Sequence, residues 1–94
     1  MRVAVVGAGL SGLSAALELS GRCETVVFEQ HDHIGGALSS YTTLAQPVER
    51  YYHHCFAFDN ELFALLSELH LSHLLRWRLA RVGYLHAGSV YPMN

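Results

Sequence analysis

Val3-Ala4-Val5-Val6-Gly7-Ala8-Gly9-Leu10-Ser11-Gly12 is an apolar run that breaks into a G-x-G-x-x-G turn and opens a helical pattern. Val3 to Val6 is short, β-branched and without polar alternation, which predicts a parallel strand covered on both faces. Gly7 suits the tight turn that follows. Gly9 has no Cβ, so the main chain there can approach a pyrophosphate, and Gly12 lets the helix lie close against the strand. The unpaired N–H groups around Leu10 and Ser11 then point at an anion, and the positive end of the helix dipole favours the same charge.

A glycine pattern of this kind carries weight only in context. Leu10, Leu13, Ala16 and Leu17 recur at helical spacing after the turn, and Ser20-Gly21 supplies a C-terminal stop. Thr25-Val26-Val27-Phe28 reads as a second buried-type strand. It ends in Glu29, about 20 residues beyond the turn, the offset at which an acidic side chain takes ribose hydroxyls. Strand, turn, helix, strand and acid together predict the βαβ unit of a dinucleotide-binding Rossmann-like fold.

Bulk properties bound this reading. A chain of 94 residues is small for a complete dinucleotide-binding domain. The expectation is therefore that 1–94 is the N-terminal part of such a domain, an incomplete α/β piece of a longer chain. A hydrophobic content of 51% argues against disorder. A net charge of −2 gives no footprint for nucleic acid. Cys23 and Cys55 form no framework and no C-x-x-C pair, so a reducing cytoplasm is expected. The apolar opening is too short and glycine-rich to span a bilayer, and no transmembrane segment is expected. Nothing in the sequence sets an oligomeric state.

Beyond Glu29, Gln30-His31-Asp32-His33-Ile34-Gly35-Gly36 is a polar bend closed by two glycines, which gives the main chain a second close approach to a long cofactor. With this bend the chain resembles the FAD-dependent oxidoreductases of the amine oxidase, protoporphyrinogen oxidase and phytoene desaturase type. Their opening segment carries a G-x-G-x-x-G, an acid ending the second strand and a glycine pair in this register. The resemblance implies FAD as cofactor. Gly7, Gly9, Ser11 and Gly12 would surround its pyrophosphate, Glu29 would bind the adenosine ribose, and Gln30 would lie near the adenine. Gly35, Gly36 and Ala37 would pass under the pyrophosphate and ribityl part. Many members carry an arginine directly after the glycine pair, where this chain has Ala37.

Leu38 to Val48 is polar and mixed and reads as a loop or short edge strand. Glu49-Arg50-Tyr51-Tyr52-His53-His54-Cys55-Phe56 follows. Adjacent histidines of one strand point to opposite faces and no second pair stands at zinc-like spacing, so no metal site is expected. The Tyr51-x-x-His54-x-Phe56 passage is similar to one in UDP-galactopyranose mutases and desaturase-like flavoproteins that borders the flavin. That similarity would place His54 near the isoalloxazine ring. Asp59 reads as an N-cap, followed by an amphipathic helix with Leu62, Leu65, Leu66 and Leu69 as core. His70 and His73 are expected to face solvent. Arg76-Trp77-Arg78 and Arg81 read as a solvated basic face, and Val82 to Tyr91, turning at Ala87-Gly88-Ser89, reads as a hairpin.

The fold expected is α/β: a Rossmann-like FAD/NAD(P)-binding βαβ unit with a following helix and β-hairpin. By resemblance the parent would be a flavin-dependent oxidoreductase that removes a hydride from a small organic substrate, and 1–94 alone would be inactive. No residue in it is assigned to catalysis. Three alternatives stay open: a mutase-like flavin isomerase, an NAD-linked dehydrogenase, against which the Gly35-Gly36 bend argues, and a non-catalytic binding protein similar to the Rab GDP-dissociation inhibitors.

Overall fold

The computed structural model describes residues 1–93 and divides the chain into two units, Met1–Cys55 and Phe56–Asn94. The first unit is built on β1 (Arg2–Val6), α1 (Leu10–Leu19) and β2 (Glu24–Phe28). The strands β1 and β2 pair in parallel, Arg2 opposite Glu24 through Val6 opposite Phe28. A parallel pair needs a crossover connection, and α1 supplies it. The helix stops where expected. Ser20 N–H turns back to the Leu17 carbonyl at 3.1 Å, and Gly21 takes a left-handed φ of +79°.

Two details differ from the sequence reading. Val3, Val5, Thr25 and Val27 are half-buried on the α1 side, but Val6 and Phe28 on the other side are 87% and 56% exposed. One face of the pair is therefore covered and the other open, because only one helix belongs to these two strands. On α1 the better-covered residues are Gly12, Ala16 and Leu19, while Leu10, Leu13 and Leu17 lie on the flank. At Gly12 the helix sits too close to the strand for a side chain. A Cβ on Gly12 would collide with the Gly7 carbonyl oxygen and lie 3.4 Å from the Val5 side chain.

After a single 3₁₀ turn at Gly36–Leu38, the stretch read as a loop or edge strand forms a hairpin, β3 (Ser40–Thr43) with β4 (Gln46–Glu49). Its two-residue turn holds Leu44 at φ +47° and Ala45 at φ +64°. Both central residues are left-handed, the type I′ pattern usually carried by Asn-Gly. Leucine and alanine hide that turn from sequence inspection. Pro47 is tolerated in β4 because the two-stranded ladder leaves one edge of every strand unpaired.

The second unit contains α2 (Asn60–Glu68), a 3₁₀ turn at Ser72–Leu74, and the hairpin of β5 (Gly83–His86) and β6 (Ser89–Pro92). Asp59 occupies the N-cap position of α2 but makes no side-chain cap. Its carboxylate instead accepts the Phe56 N–H at 2.7 Å. Leu62, Leu65 and Leu66 are half-buried rather than core, and Leu69 is exposed. The helix ends in a Schellman arrangement, with Leu71 N–H on the Leu66 carbonyl at 2.7 Å and His70 N–H on the Ser67 carbonyl at 3.0 Å. His70 holds the left-handed position at φ +57° and is exposed, as is His73. Arg76 closes the following 3₁₀ turn by donating to the His73 carbonyl at 2.7 Å, and Trp77 meets Phe63 edge-on. The expected second hairpin is present, turning at Ala87-Gly88 with Tyr84 stacked on Tyr91 at 5.2 Å.

A left-handed conformation costs a non-glycine residue roughly 1–2 kcal/mol. Replacing Leu44-Ala45 with Asn-Gly is therefore expected to stabilise the β3–β4 hairpin by about 1 kcal/mol, read as an increase of about fivefold in hydrogen-exchange protection of its cross-strand amides.

Candidate functional site

The site is built where two glycine bends meet. Gly7 turns the chain out of β1 at φ +101°, its N–H bonded to the Phe28 carbonyl at 2.7 Å. Gly35 and Gly36 turn the chain after β2 at φ +108° and +55°. Gly35 N–H donates to the Ala8 carbonyl at 2.8 Å, and Gly9 and Gly35 form an isolated parallel bridge. A Cβ on Gly36 would stand 3.1 Å from the Gly9 Cα. The bends touch main chain to main chain; Gly7 is required by φ, and Gly35 and Gly36 by space as well as by φ.

Glu29 locks the same junction from the end of β2. One carboxylate oxygen accepts the Ala8 N–H at 2.7 Å and the other the His31 N–H at 3.0 Å. Ala8, at 2% exposure, is one of only two buried residues among those described. The backbone donors, that of Ala8 first and then that of His31, hold the Glu29 carboxyl below its ordinary range. A carboxylate offers about four lone-pair sites, and two remain for further donors such as a ribose diol. Asp32 is likewise lowered, chiefly by its hydrogen bond to His33 at 2.9 Å.

Two clefts flank this junction. One, of about 380 Å³, has Gly7, Gly9, Leu10, Ser11 and Gly12 on one side and Gly35 and Ala37 on the other. It opens on the N-terminus of α1, where the N-cap is Gly9 and no acidic residue stands in the first turn. The orphan N–H groups and the positive dipole end therefore face it unneutralised. The other cleft, of about 520 Å³, is lined by Glu29, His31, His33, Gly36, Ala37 and Arg50, among others. Ala37 belongs to both. Each is of a size to take part of a small molecule.

This fold and site agree with what the chain is similar to. The sequence profile of the NAD(P)-binding Rossmann-like domain matches residues 5–69. The chain belongs to that family. The NAD(P)-binding Rossmann-like assignment fits a dinucleotide as the ligand class and the α/β unit seen here. The chain is also similar to a zeta-carotene desaturase, chloroplastic/chromoplastic, of Solanum lycopersicum, 35% identical over 71 residues. That stretch is 73% of this chain and 12% of the relative, so the chain spans about an eighth of the relative's length. The resemblance to the phytoene desaturase type carried by the glycine bends is borne out by this relative.

Of the residues singled out from sequence, nine share the two clefts: Gly7, Gly9, Leu10, Ser11, Gly12, Glu29, Gly35, Gly36 and Ala37. Gln30 is exposed and lines neither. His54 is exposed with its ring 5.2 Å from Tyr52, outside both clefts. His53 is held by the Tyr51 carbonyl at 2.9 Å and by Glu49 at 3.5 Å. Among the described residues, no three His, Cys, Asp or Glu side chains come together in a way that could hold a metal. Sequence reasoning passed over Ser39 and Arg50. Ser39 is 6% exposed and gives both its N–H and its hydroxyl to the Gly36 carbonyl, at 3.1 and 2.7 Å. A serine three residues after a glycine pair was the available signal.

A carboxyl whose folded-state pKa is depressed from its ordinary 4.5 stabilises the fold above that value and loses the contribution as pH falls through the folded one. Glu29→Gln keeps at most one acceptor for the two N–H donors. The variant is expected to melt lower than wild type at neutral pH, with the gap closing from about pH 5 downward. Thermal melts of both proteins across that range check it. Asp32 titrates in both and cancels in the difference.

Proposed function

We propose that residues 1–94 are the N-terminal part of the FAD-binding domain of a flavin-dependent oxidoreductase of the desaturase type. The observation that carries the reading is the contact of the two glycine bends at Gly9, Gly35 and Gly36 beside the Glu29 carboxylate. A single glycine turn and acid serve any dinucleotide. A second bend stacked on the first extends the side-chain-free surface along a longer cofactor, which favours FAD over a nicotinamide nucleotide. The relative's name, a carotene desaturase, points the same way.

The residues fit the cofactor. A side chain at Gly12 would overlap the Gly7 carbonyl, and one at Gly36, with φ at +55°, would press on the Gly9 main chain, so both positions favour glycine. Gly7, Gly9, Ser11 and Gly12 would surround the pyrophosphate, with the main-chain N–H groups at the start of α1 as donors while the Gly7 N–H stays on the Phe28 carbonyl, and Gly35, Gly36 and Ala37 would follow the chain of the cofactor. Glu29, ionised at neutral pH, would accept the ribose hydroxyls on its two remaining lone-pair sites. Gln30 would lie toward the adenine and His54 toward the flavin. When bound, FAD supplies a two-electron acceptor for a hydride taken from a C–C or C–N bond of an organic substrate.

Cys23 and Cys55 are free thiols, which supports a reducing compartment, and we place the protein in the cytoplasm. No helix among the described residues is long and apolar enough to cross a membrane.

The full natural chain, purified without added cofactor, is expected to carry the yellow absorbance bands of oxidised flavin, released as FAD on denaturation. Gly36→Ala combines a strained φ with a 3.1 Å approach to Gly9 and is expected to weaken FAD affinity by about tenfold or more, equivalent to roughly 1.4 kcal/mol. A colourless protein that binds a nicotinamide nucleotide and not FAD would overturn the reading.

A further inference from the structure

Arg50 is presented to the cleft of Glu29 by a built support. It follows β4 directly, and its main-chain N–H donates to the Ser39 carbonyl at 3.0 Å. Ser39 is itself buried and bonded twice to the Gly36 carbonyl. The guanidinium lies 5.7 Å from the centre of the Tyr41 ring on β3. The hairpin thus fixes a cation two hydrogen-bonded steps from the second glycine bend, through Ser39, on the same cleft wall as Gly36 and Ala37.

The charges around it are otherwise committed. Arg2 pairs with Glu24 at 3.2 Å and Arg22 with Glu18 at 3.1 Å, and Arg76, Arg78 and Arg81 belong to the second unit. Arg50 is the one permanent cation lining either cleft among the described residues. The titratable groups lining the cleft with it are Glu29, already taken by two N–H donors, His31 and His33, whose rings stack at 5.3 Å, and Tyr51; the Asp32 carboxylate, bonded to His33, also feels the Arg50 charge. The N-terminus of α1 offers an anion only about half a unit of positive charge. A dinucleotide pyrophosphate carries about two negative charges at neutral pH, so the glycine cradle alone leaves most of that charge unmatched. Arginine matches phosphate oxygens with a planar pair of donors, and stacking on an aromatic ring holds that plane.

Resting on the FAD-binding reading above, we propose that Arg50, carried by the β3–β4 hairpin beside Gly36 and Ala37, is a phosphate-binding residue that donates to the cofactor's pyrophosphate. The hairpin then serves as its bracket.

The test uses the full natural protein stripped of flavin and titrated with FAD. Arg50→Gln is expected to raise the Kd for FAD about tenfold and to flatten its dependence on ionic strength. Arg50→Lys should recover part of the affinity, and Arg22→Gln should leave it unchanged. Wild-type protein is also treated with phenylglyoxal and its arginines mapped by mass spectrometry, which needs no variant to fold. FAD and ADP should protect Arg50 and riboflavin should not, while Arg22 reacts equally throughout. Unchanged FAD affinity in Arg50→Gln, weaker affinity with the wild-type salt dependence, or equal modification of Arg50 with and without ADP would each overturn the proposal while FAD binding itself stands. Failure of the wild-type apoprotein to bind FAD would overturn the cofactor reading, and the role of Arg50 with it.

Discussion

The junction at Gly9 and Gly35 depends on main chain meeting main chain with no side chain between. The candidate site of the first unit depends on that approach. Gly35 N–H reaches the Ala8 carbonyl with Gly7 and Gly35 at positive φ, and Gly36 lies close against Gly9 because Gly36 has no Cβ. The Glu29 carboxylate then closes the junction from the end of β2 by taking the Ala8 N–H, leaving Ala8 buried beneath it. The two clefts lie on either side of this one contact. It also explains why so small a unit holds a defined site while burying almost nothing: hydrogen bonds to main chain, rather than a leucine core, set its shape.

Glu29 is a structural group in this arrangement, and the proposed function gives it the cofactor's ribose as well. Its two N–H donors keep it ionised and fix its orientation before any ligand arrives, which reduces the ordering cost of binding. Ser39 plays the corresponding part on the far side of the glycine pair, and through it the β3–β4 hairpin is tied to the cradle. The open face of β1–β2, with Val6 and Phe28 largely exposed, is the counterpart of this economy. A parallel pair covered by one helix has a second apolar face still to be covered.

Much of this was legible along the chain. The βαβ unit follows from two β-branched runs, a glycine turn, a helix-period segment and Ser20-Gly21. The late hairpin follows from Ala87-Gly88, which contains the glycine that a left-handed turn favours. The β3–β4 hairpin was not legible, because Leu44 and Ala45 occupy left-handed positions that neither residue favours and Pro47 sits in the ladder. Missing that hairpin meant missing Arg50. Asp59 stands where an N-cap belongs, yet its carboxylate is drawn to Phe56, a choice between two nearby N–H groups that no residue pattern records.

The sequence by itself determined the local elements and the positions that must be glycine, since backbone φ, helical period and strand composition are properties of a few consecutive residues. Only the tertiary structure decided that the two glycine bends lie on one another, that Glu29 spends two acceptor sites on the fold, and that Arg50 joins Glu29 across one cleft. Those are contacts between segments distant in the chain. They are set by how a parallel strand pair, its crossover helix and a hairpin share one small volume, and no local pattern encodes that sharing.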